Sequence, residues 1–196
     1  DDLSRGLGDV YKRQALDSYE RGAKVIAVND LGGAIYNKNG INIPELFKHI
    51  AKNKSVKDFN GADNFDDEIL EIECDILIPA AVGGVIKSNN AENIKAKIIV
   101  EGANSPTTLS ADKILRDNGV LLIPDILANA GGVTASYFEW VQNTQNYFWK
   151  EKELHDRLID VLTSAFEEVW IISEKNKVDL RTAALIKGIK KVAAAK

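Results

Sequence analysis

Cysteine is almost absent: Cys74 is the single one in 196 residues, so no internal disulfide staples the chain and a secreted disulfide scaffold is excluded. An excess of basic charge is lacking too. Twenty-five Lys and Arg against 29 Asp and Glu leave a formal charge of −4, so no broad positive field draws the chain to nucleic acid or to an anionic membrane. No apolar run comes near the roughly 18 residues of a membrane span, and no leader peptide is visible at the start of the sequence. The expectation is a cytoplasmic protein with no nucleic-acid and no membrane partner. Internal repeats, low-complexity linkers and long charge blocks are missing as well. So are His, Cys, Asp and Glu at metal-ligand spacing and any Ser-His-Asp or Cys-His arrangement, which leaves no metal site and no nucleophilic hydrolase to argue for. With no second Cys or nearby His, Cys74 reads as a small core hydrophobe. His49 and His155 lie in polar helical stretches and read as surface residues.

What is present is a globular composition, 45% hydrophobic and 28% charged, enough for a real core. Four short β-branched runs recur: Ala23–Val28, Asp75–Pro79, Lys97–Glu101 and Val120–Pro124. Their apolar stretches are continuous rather than alternating, which predicts strands buried on both faces. Helix-like stretches separate them, over Pro44–Lys52, Phe65–Glu73, Asn89–Lys95 and Ser110–Asn118, the last ending before Gly119. Strand alternating with helix predicts βαβ units and a parallel, doubly wound Rossmann-like α/β sheet. Beyond Gly131-Gly132 no strand signal returns. Leu154, Leu158, Val161, Leu162, Ala165, Val169 and Ile172 mark one helical stripe, and Asp179 is placed to cap a last helix carrying Ala183, Ile186, Ile189 and Val192. The expected organisation is a sheet domain over 15–140 and C-terminal helices over 141–196.

In open parallel sheets ligands bind at the carboxyl ends of the strands. The segments there are Asn29-Asp30-Leu31-Gly32-Gly33, Pro79-Ala80-Ala81, Glu101-Gly102-Ala103-Asn104 and Pro124-Asp125-Ile126-Leu127-Ala128-Asn129-Ala130-Gly131-Gly132. Small residues let a flat ligand approach the backbone, and Asn offers both a donor and an acceptor, which suits the ribose and carboxamide of a nicotinamide cofactor. Gly6 and Gly8 supply the first two glycines of a dinucleotide fingerprint, with Asp30 about twenty residues on. Tyr11 stands where a third glycine belongs, and no apolar strand precedes the pair. Plainer roles stand beside these. Asp30 could cap a turn with Gly32 and Gly33, Asn104 could be a turn residue before Ser105-Pro106, and Asn129 could merely open the next helix. Tyr137, Phe138, Trp140, Tyr147, Phe148 and Trp149 form an aromatic cluster without interleaved basic residues. It reads as interdomain packing rather than a base-stacking platform.

Taken together, Gly22–Asp30, Gly33–Asn37, Asp75–Ala81, Ile99–Asn104 with Pro106–Thr108, and Pro124–Val133 closely resemble the C-terminal half of the glutamate dehydrogenases, within the glutamate/leucine/phenylalanine/valine dehydrogenase family. The following Ser136–Asn143 resembles the glutamate branch. The resemblance implies a coenzyme domain in which Asp30 faces the adenosine ribose, Ala80 and Ala81 line the dinucleotide cleft, and Asn104 and Asn129 contact the nicotinamide side. It places Val133 and Ser136 against the substrate side chain, where a hydroxyl suits the γ-carboxylate of glutamate and an apolar residue suits leucine. It implies oxidative deamination of L-glutamate to 2-oxoglutarate and ammonia, in a homohexamer, with the catalytic lysines and aspartate outside this chain. No catalytic residue is therefore assigned here, and the chain alone is expected not to turn over. Leu3–Gln14 resembles a translated sequencing-adapter remnant, so 1–14 is expected to be non-native and the Gly6/Gly8 match partly accidental. A carboxylate at Asp30 accepts from a free 2′-hydroxyl and repels a 2′-phosphate, favouring NAD, though Lys38 could offset the charge and NADP stays possible. Two other functions remain open, a branched-chain amino acid dehydrogenase and a non-catalytic dinucleotide-binding module.

Overall fold

The computed structural model describes residues 14–195. They fall into two compact units, parted between Glu73 and Cys74, inside the stretch expected to form one sheet domain. Among the described residues no helix is long and apolar enough to cross a membrane.

The first unit carries α1 (residues 14–20), β1 (Ala27–Asp30), β2 (Gly33–Tyr36), α2 (Ile43–Asn53), β3 (Asp63–Phe65) and a 3₁₀ turn at Ile69–Glu71. Its sheet is antiparallel, in the order β1-β2-β3, which corrects the expectation that the first strand joins a parallel sheet. Asp30 pairs directly with Gly33, so only Leu31 and Gly32 connect the two strands, and a two-residue link can join only antiparallel neighbours. The residues from Gly33 to Asn37 are therefore mostly strand. Phe65–Glu73 is not a helix either. Phe65 closes β3 opposite Ala34, and Ile69, Leu70 and Ile72, although helically spaced, make a single 3₁₀ turn. Asn42 caps α2 through Glu45 N at 3.1 Å, with Pro44 in its first turn. The apolar face of α2 closes a core of Ile35, Ile41, Ile43, Leu46, Val56 and Phe59. His49 is half-buried rather than a surface residue: its ring bonds Lys57 O at 2.8 Å and lies edge-on to Phe59.

The second unit has the Rossmann-like arrangement that the alternating pattern predicts. β4 (Ile76–Leu77), β5 (Ile98–Val100) and β6 (Leu121–Ile123) form a parallel sheet in that order. The crossovers carry α3 (Ser88–Ala91) and α4 (Leu109–Asp117), and α3 is shorter than the helix expected over Asn89–Lys95. In this sheet the full burial expected of the strands is reached at one position, in the middle of β5. Ile99 is fully buried, whereas Ile76 on the edge strand β4 and Ile78 just past it stand 53% and 39% exposed. α5 (Asp125–Ala128), α6 (Gly131–Gln145), α7 (Glu151–Asn176) and α8 (Leu180–Ala194) follow. Val169 of α7 with Leu180 and Ala183 of α8 packs against Leu121, Ile123 and Leu127, which seats the last two helices on β6. The predicted stripes run further than the packing: Val161, Ile189 and Val192 are exposed. Asp179 caps α8 as expected, accepting from Thr182 N at 2.8 Å.

Within the aromatic cluster Phe138 is buried edge-on to Trp149, while Tyr137, Trp140, Tyr147 and Phe148 are exposed. A basic residue does enter it, since the Arg157 guanidinium lies 4.4 Å above the Trp149 ring. Cys74 is half-buried and its thiol pKa is pushed up, by burial first and by the Asp75 carboxylate second.

Candidate functional site

The carboxyl edge of the parallel sheet is built by three loops that hold one another through the backbone. Ala103 N donates to Pro79 O at 2.9 Å, and Gly84 N donates to Ser105 O at 2.9 Å. The loop after β4, carrying Ala80 and Ala81, is thereby tied to the loop after β5, carrying Asn104. Gly83 makes this approach possible, because a methyl group there would stand 2.9 Å from Asn104 O, closer than a Cβ tolerates. Ala80 is half-buried and Ala81 exposed.

Asn104 precedes Ser105, which adopts a left-handed backbone with φ of 47°, uncommon for a non-glycine residue. That conformation is held by Asp125 Oδ2, which accepts from Ser105 N at 2.7 Å. The bend presents Asn104 to the loop after β6, where Asn129 Nδ2 donates to Asn104 Oδ1 at 2.7 Å. A longer bond of 3.4 Å runs from the same amide to Gly102 O. Asn129 is the C-cap of α5, and its backbone N donates to Asp125 O at 2.9 Å. So the two asparagines singled out in the sequence are brought together. Each also serves the local role that the plainer reading gives it, Asn104 in the bend before Ser105-Pro106 and Asn129 before the Gly131-Gly132 start of α6. The pairing leaves Asn104 Nδ2, a donor, and Asn129 Oδ1, an acceptor, without a hydrogen bond among the described residues, a complementary couple for one primary amide.

Val133 and Ser136 lie one turn apart on α6 and both are exposed, Val133 by 71%. Ser136 Oγ donates to Gly132 O at 3.1 Å within its own helix, which leaves its lone pairs free.

Asp30 belongs to the first unit. Its carboxylate holds the β1–β2 turn: Oδ1 accepts from Gly32 N at 2.8 Å and from Ser55 Oγ at 3.2 Å, and Oδ2 accepts from Val56 N at 2.7 Å. A Cβ at Gly32 would collide with Ser55, so glycine is required where the turn crosses the segment after α2. A carboxylate has about four acceptor positions, so one stays open at Asp30. Gly6 and Gly8 lie outside the described residues, as does all of 1–14 except Gln14.

Sequence reasoning missed the group that supports this edge. Arg181 of α8 donates to Glu101 Oε1 at 2.8 Å, to Asp112 Oδ2 at 2.8 Å and to Asp125 Oδ1 at 3.2 Å. Glu101 is fully buried and its other oxygen accepts from Asp125 N at 2.8 Å. Burial works against the charge on Arg181, yet the hydrogen bonds it donates to Asp112 and Glu101, with their negative charge, outweigh it and hold the guanidinium above its ordinary pKa.

Comparison with known proteins gives relatives of the whole chain. The family profile of the glutamate/leucine/phenylalanine/valine dehydrogenases matches residues 4–196. The chain is 46% identical over 193 residues to the catabolic NAD-specific glutamate dehydrogenase RocG of Bacillus subtilis, covering 98% of this chain and 46% of that protein. It is 47% identical over 191 residues to the glutamate dehydrogenase of Thermotoga maritima, covering 96% of this chain and 46% of that protein. Among solved structures it resembles the hetero-hexameric glutamate dehydrogenase of Thermus thermophilus, with a TM-score of 0.86 and 28% identity over 93% of this chain and 43% of that one. Plasmodium falciparum glutamate dehydrogenase 2 also gives a TM-score of 0.86, with 33% identity over 96% of this chain and 44% of that one. The chain thus spans about half the length of the curated relatives it matches, 46% of each.

Proposed function

The chain belongs to the glutamate/leucine/phenylalanine/valine dehydrogenase family, and on that premise we propose that it is the coenzyme-binding half of an NAD-dependent glutamate dehydrogenase. In this reading the whole enzyme is a cytoplasmic homohexamer that converts L-glutamate to 2-oxoglutarate and ammonia. Two of the similar proteins are named NAD-specific glutamate dehydrogenases, which supports both substrate and coenzyme. The observation that carries the reading is the Asn129–Asn104 bond, because the donor and acceptor it leaves over match the NH₂ and C=O of a carboxamide. Bound there, NAD would supply the acceptor for the hydride leaving the substrate Cα.

The residues of this chain bind and orient. Asn104 Nδ2 and Asn129 Oδ1 fix the plane of the carboxamide, and Ala80 and Ala81 keep side chains out of the way of the dinucleotide. The acceptor position left on Asp30 suits a ribose hydroxyl, and its charge opposes a 2′-phosphate, so NADP is the weaker coenzyme. Ser136 meets the γ-carboxylate by turning its proton away from Gly132 O, with Val133 beside it against the methylenes. Proton transfer at the amino group is left to residues outside this chain.

The reading is tested by assaying the intact gene product with L-glutamate or L-leucine, and with NAD or NADP. Reduction of NAD that depends on glutamate is expected; turnover with leucine in place of glutamate would overturn the substrate assignment.

A further inference from the structure

The asparagine pair does not set its own geometry. The loops bearing it leave β5 and β6, and the group that joins those two strand ends is Arg181. Its guanidinium spans Glu101 at 2.8 Å, three residues before Asn104, and Asp125 at 3.2 Å, four residues before Asn129. Both partners pass the constraint on through the backbone. Glu101 Oε2 accepts from Asp125 N at 2.8 Å, and Asp125 Oδ2 accepts from Ser105 N at 2.7 Å, which fixes the left-handed residue next to Asn104. Asp112 Oδ2 at 2.8 Å holds the guanidinium from α4. With side chains of Glu101, Asp125, Asp112 and Arg181 only 0%, 9%, 12% and 17% exposed, water offers little substitute for a lost partner.

We propose that Arg181 is a positioning residue for the coenzyme edge: from α8 it clamps the ends of β5 and β6 and so sets the Asn129–Asn104 hydrogen bond. The proposal rests on the coenzyme role given to that pair. A purely structural account makes a different demand, namely that any bond anchoring the start of α8 should matter equally. Arg116 provides the comparison, since it joins α4 to Asp179 at 2.8 Å at the same helix start and bonds neither Glu101 nor Asp125.

The test compares the chain with its Arg181→Met, Arg181→Lys and Arg116→Met variants. The readouts are the ¹⁵N-edited side-chain amide signals of Asn104 and Asn129, and NADH affinity. Arg181→Met is expected to collapse the distinct, slowly exchanging Asn129 amide pair and to weaken NADH by roughly tenfold or more, since three carboxylates lose their counter-charge. Arg181→Lys should restore part of both, because an ammonium keeps the charge without the planar fork, and Arg116→Met should leave the Asn129 signals in place. A folded Arg181→Met chain with unchanged Asn129 signals overturns the proposal, as does an equal disturbance by Arg116→Met. Should Arg181→Met fail to fold, Asp125→Asn decides: it weakens one arm of the clamp, and unchanged Asn129 signals there are equally fatal. If the amide pair collapses while NADH binds as before, the positioning role stands and the coenzyme role of the pair falls.

Discussion

Asn129 closes a gap between two strand ends by donating its side-chain amide to Asn104 Oδ1 at 2.7 Å. One side chain comes from the C-cap of α5 and the other from a bend held by a left-handed Ser105. The remaining donor and acceptor are complementary to a primary amide, and on this complementarity the proposed coenzyme role rests, since a carboxamide held there would orient the nicotinamide ring.

Asn129→Ala removes that bond without touching the core. A net hydrogen bond is worth about 0.5–1.5 kcal/mol, so NADH affinity should fall by roughly two- to twelvefold, read by equilibrium titration. The melting temperature should change by only a few degrees, since Asn129 is half-buried and at the surface of the unit.

Gly83→Ala tests the contact between loops. The added methyl would meet a backbone carbonyl, Asn104 O, at 2.9 Å, and backbone cannot swing aside as a flexible side chain can. A loss of about 1–3 kcal/mol in urea unfolding is expected from overpacking, with displacement of the Asn104 amide signals. Gly84→Ala is a poorer probe, because its positive φ of 66° adds backbone strain of its own.

Two of the strand-end features could be read from single segments. The runs of β4, β5 and β6 are locally apolar and β-branched, and the asparagines lie four and six residues past the ends of β5 and β6, so position along the chain is enough to place them. β2 and β3 escaped because their pairing is a tertiary matter: Asp63-Asn64-Phe65 is polar and short, and only its register against Gly33–Tyr36 makes it a strand. Arg181 escaped for a related reason. Its partners lie 80, 69 and 56 residues away in sequence, and no periodicity announces an ion pair at that distance.

Asp30 is expected to act on stability as well as on coenzyme choice. It accepts from Gly32 N, Ser55 Oγ and Val56 N, so Asp30→Ala leaves donors unpaired at about 1–3 kcal/mol for a buried one. Chemical unfolding should show a loss of at least that size. Asp30→Ser, which keeps an acceptor and removes the charge, should recover part of the stability and narrow the preference for NADH over NADPH.

Asp179 gives the fold an acid-sensitive cap. Burial tends to raise its pKa, but the Thr182 N–H and hydroxyl bonds and the Arg116 charge together bring it below the ordinary 3.8. A depressed folded pKa means that the stabilisation is complete above about pH 4 and is lost as the pH falls through the folded value. Asp179→Ala should therefore cost about 1 kcal/mol at pH 7, the usual worth of an N-cap, and the difference from the parent chain should shrink below pH 4. An unchanged difference at pH 3 would contradict this assignment.

The most direct measurement is a titration of the ¹⁵N-labelled chain with NADH, following the side-chain amides of Asn104 and Asn129. A coenzyme edge at this place requires both to shift saturably, with one affinity, together with the backbone signals of Gly102 and Gly131. NADPH should move the same signals at higher concentration. Saturable binding that leaves both asparagines unmoved, or no binding by a chain whose spectrum is that of a folded protein, would contradict the account.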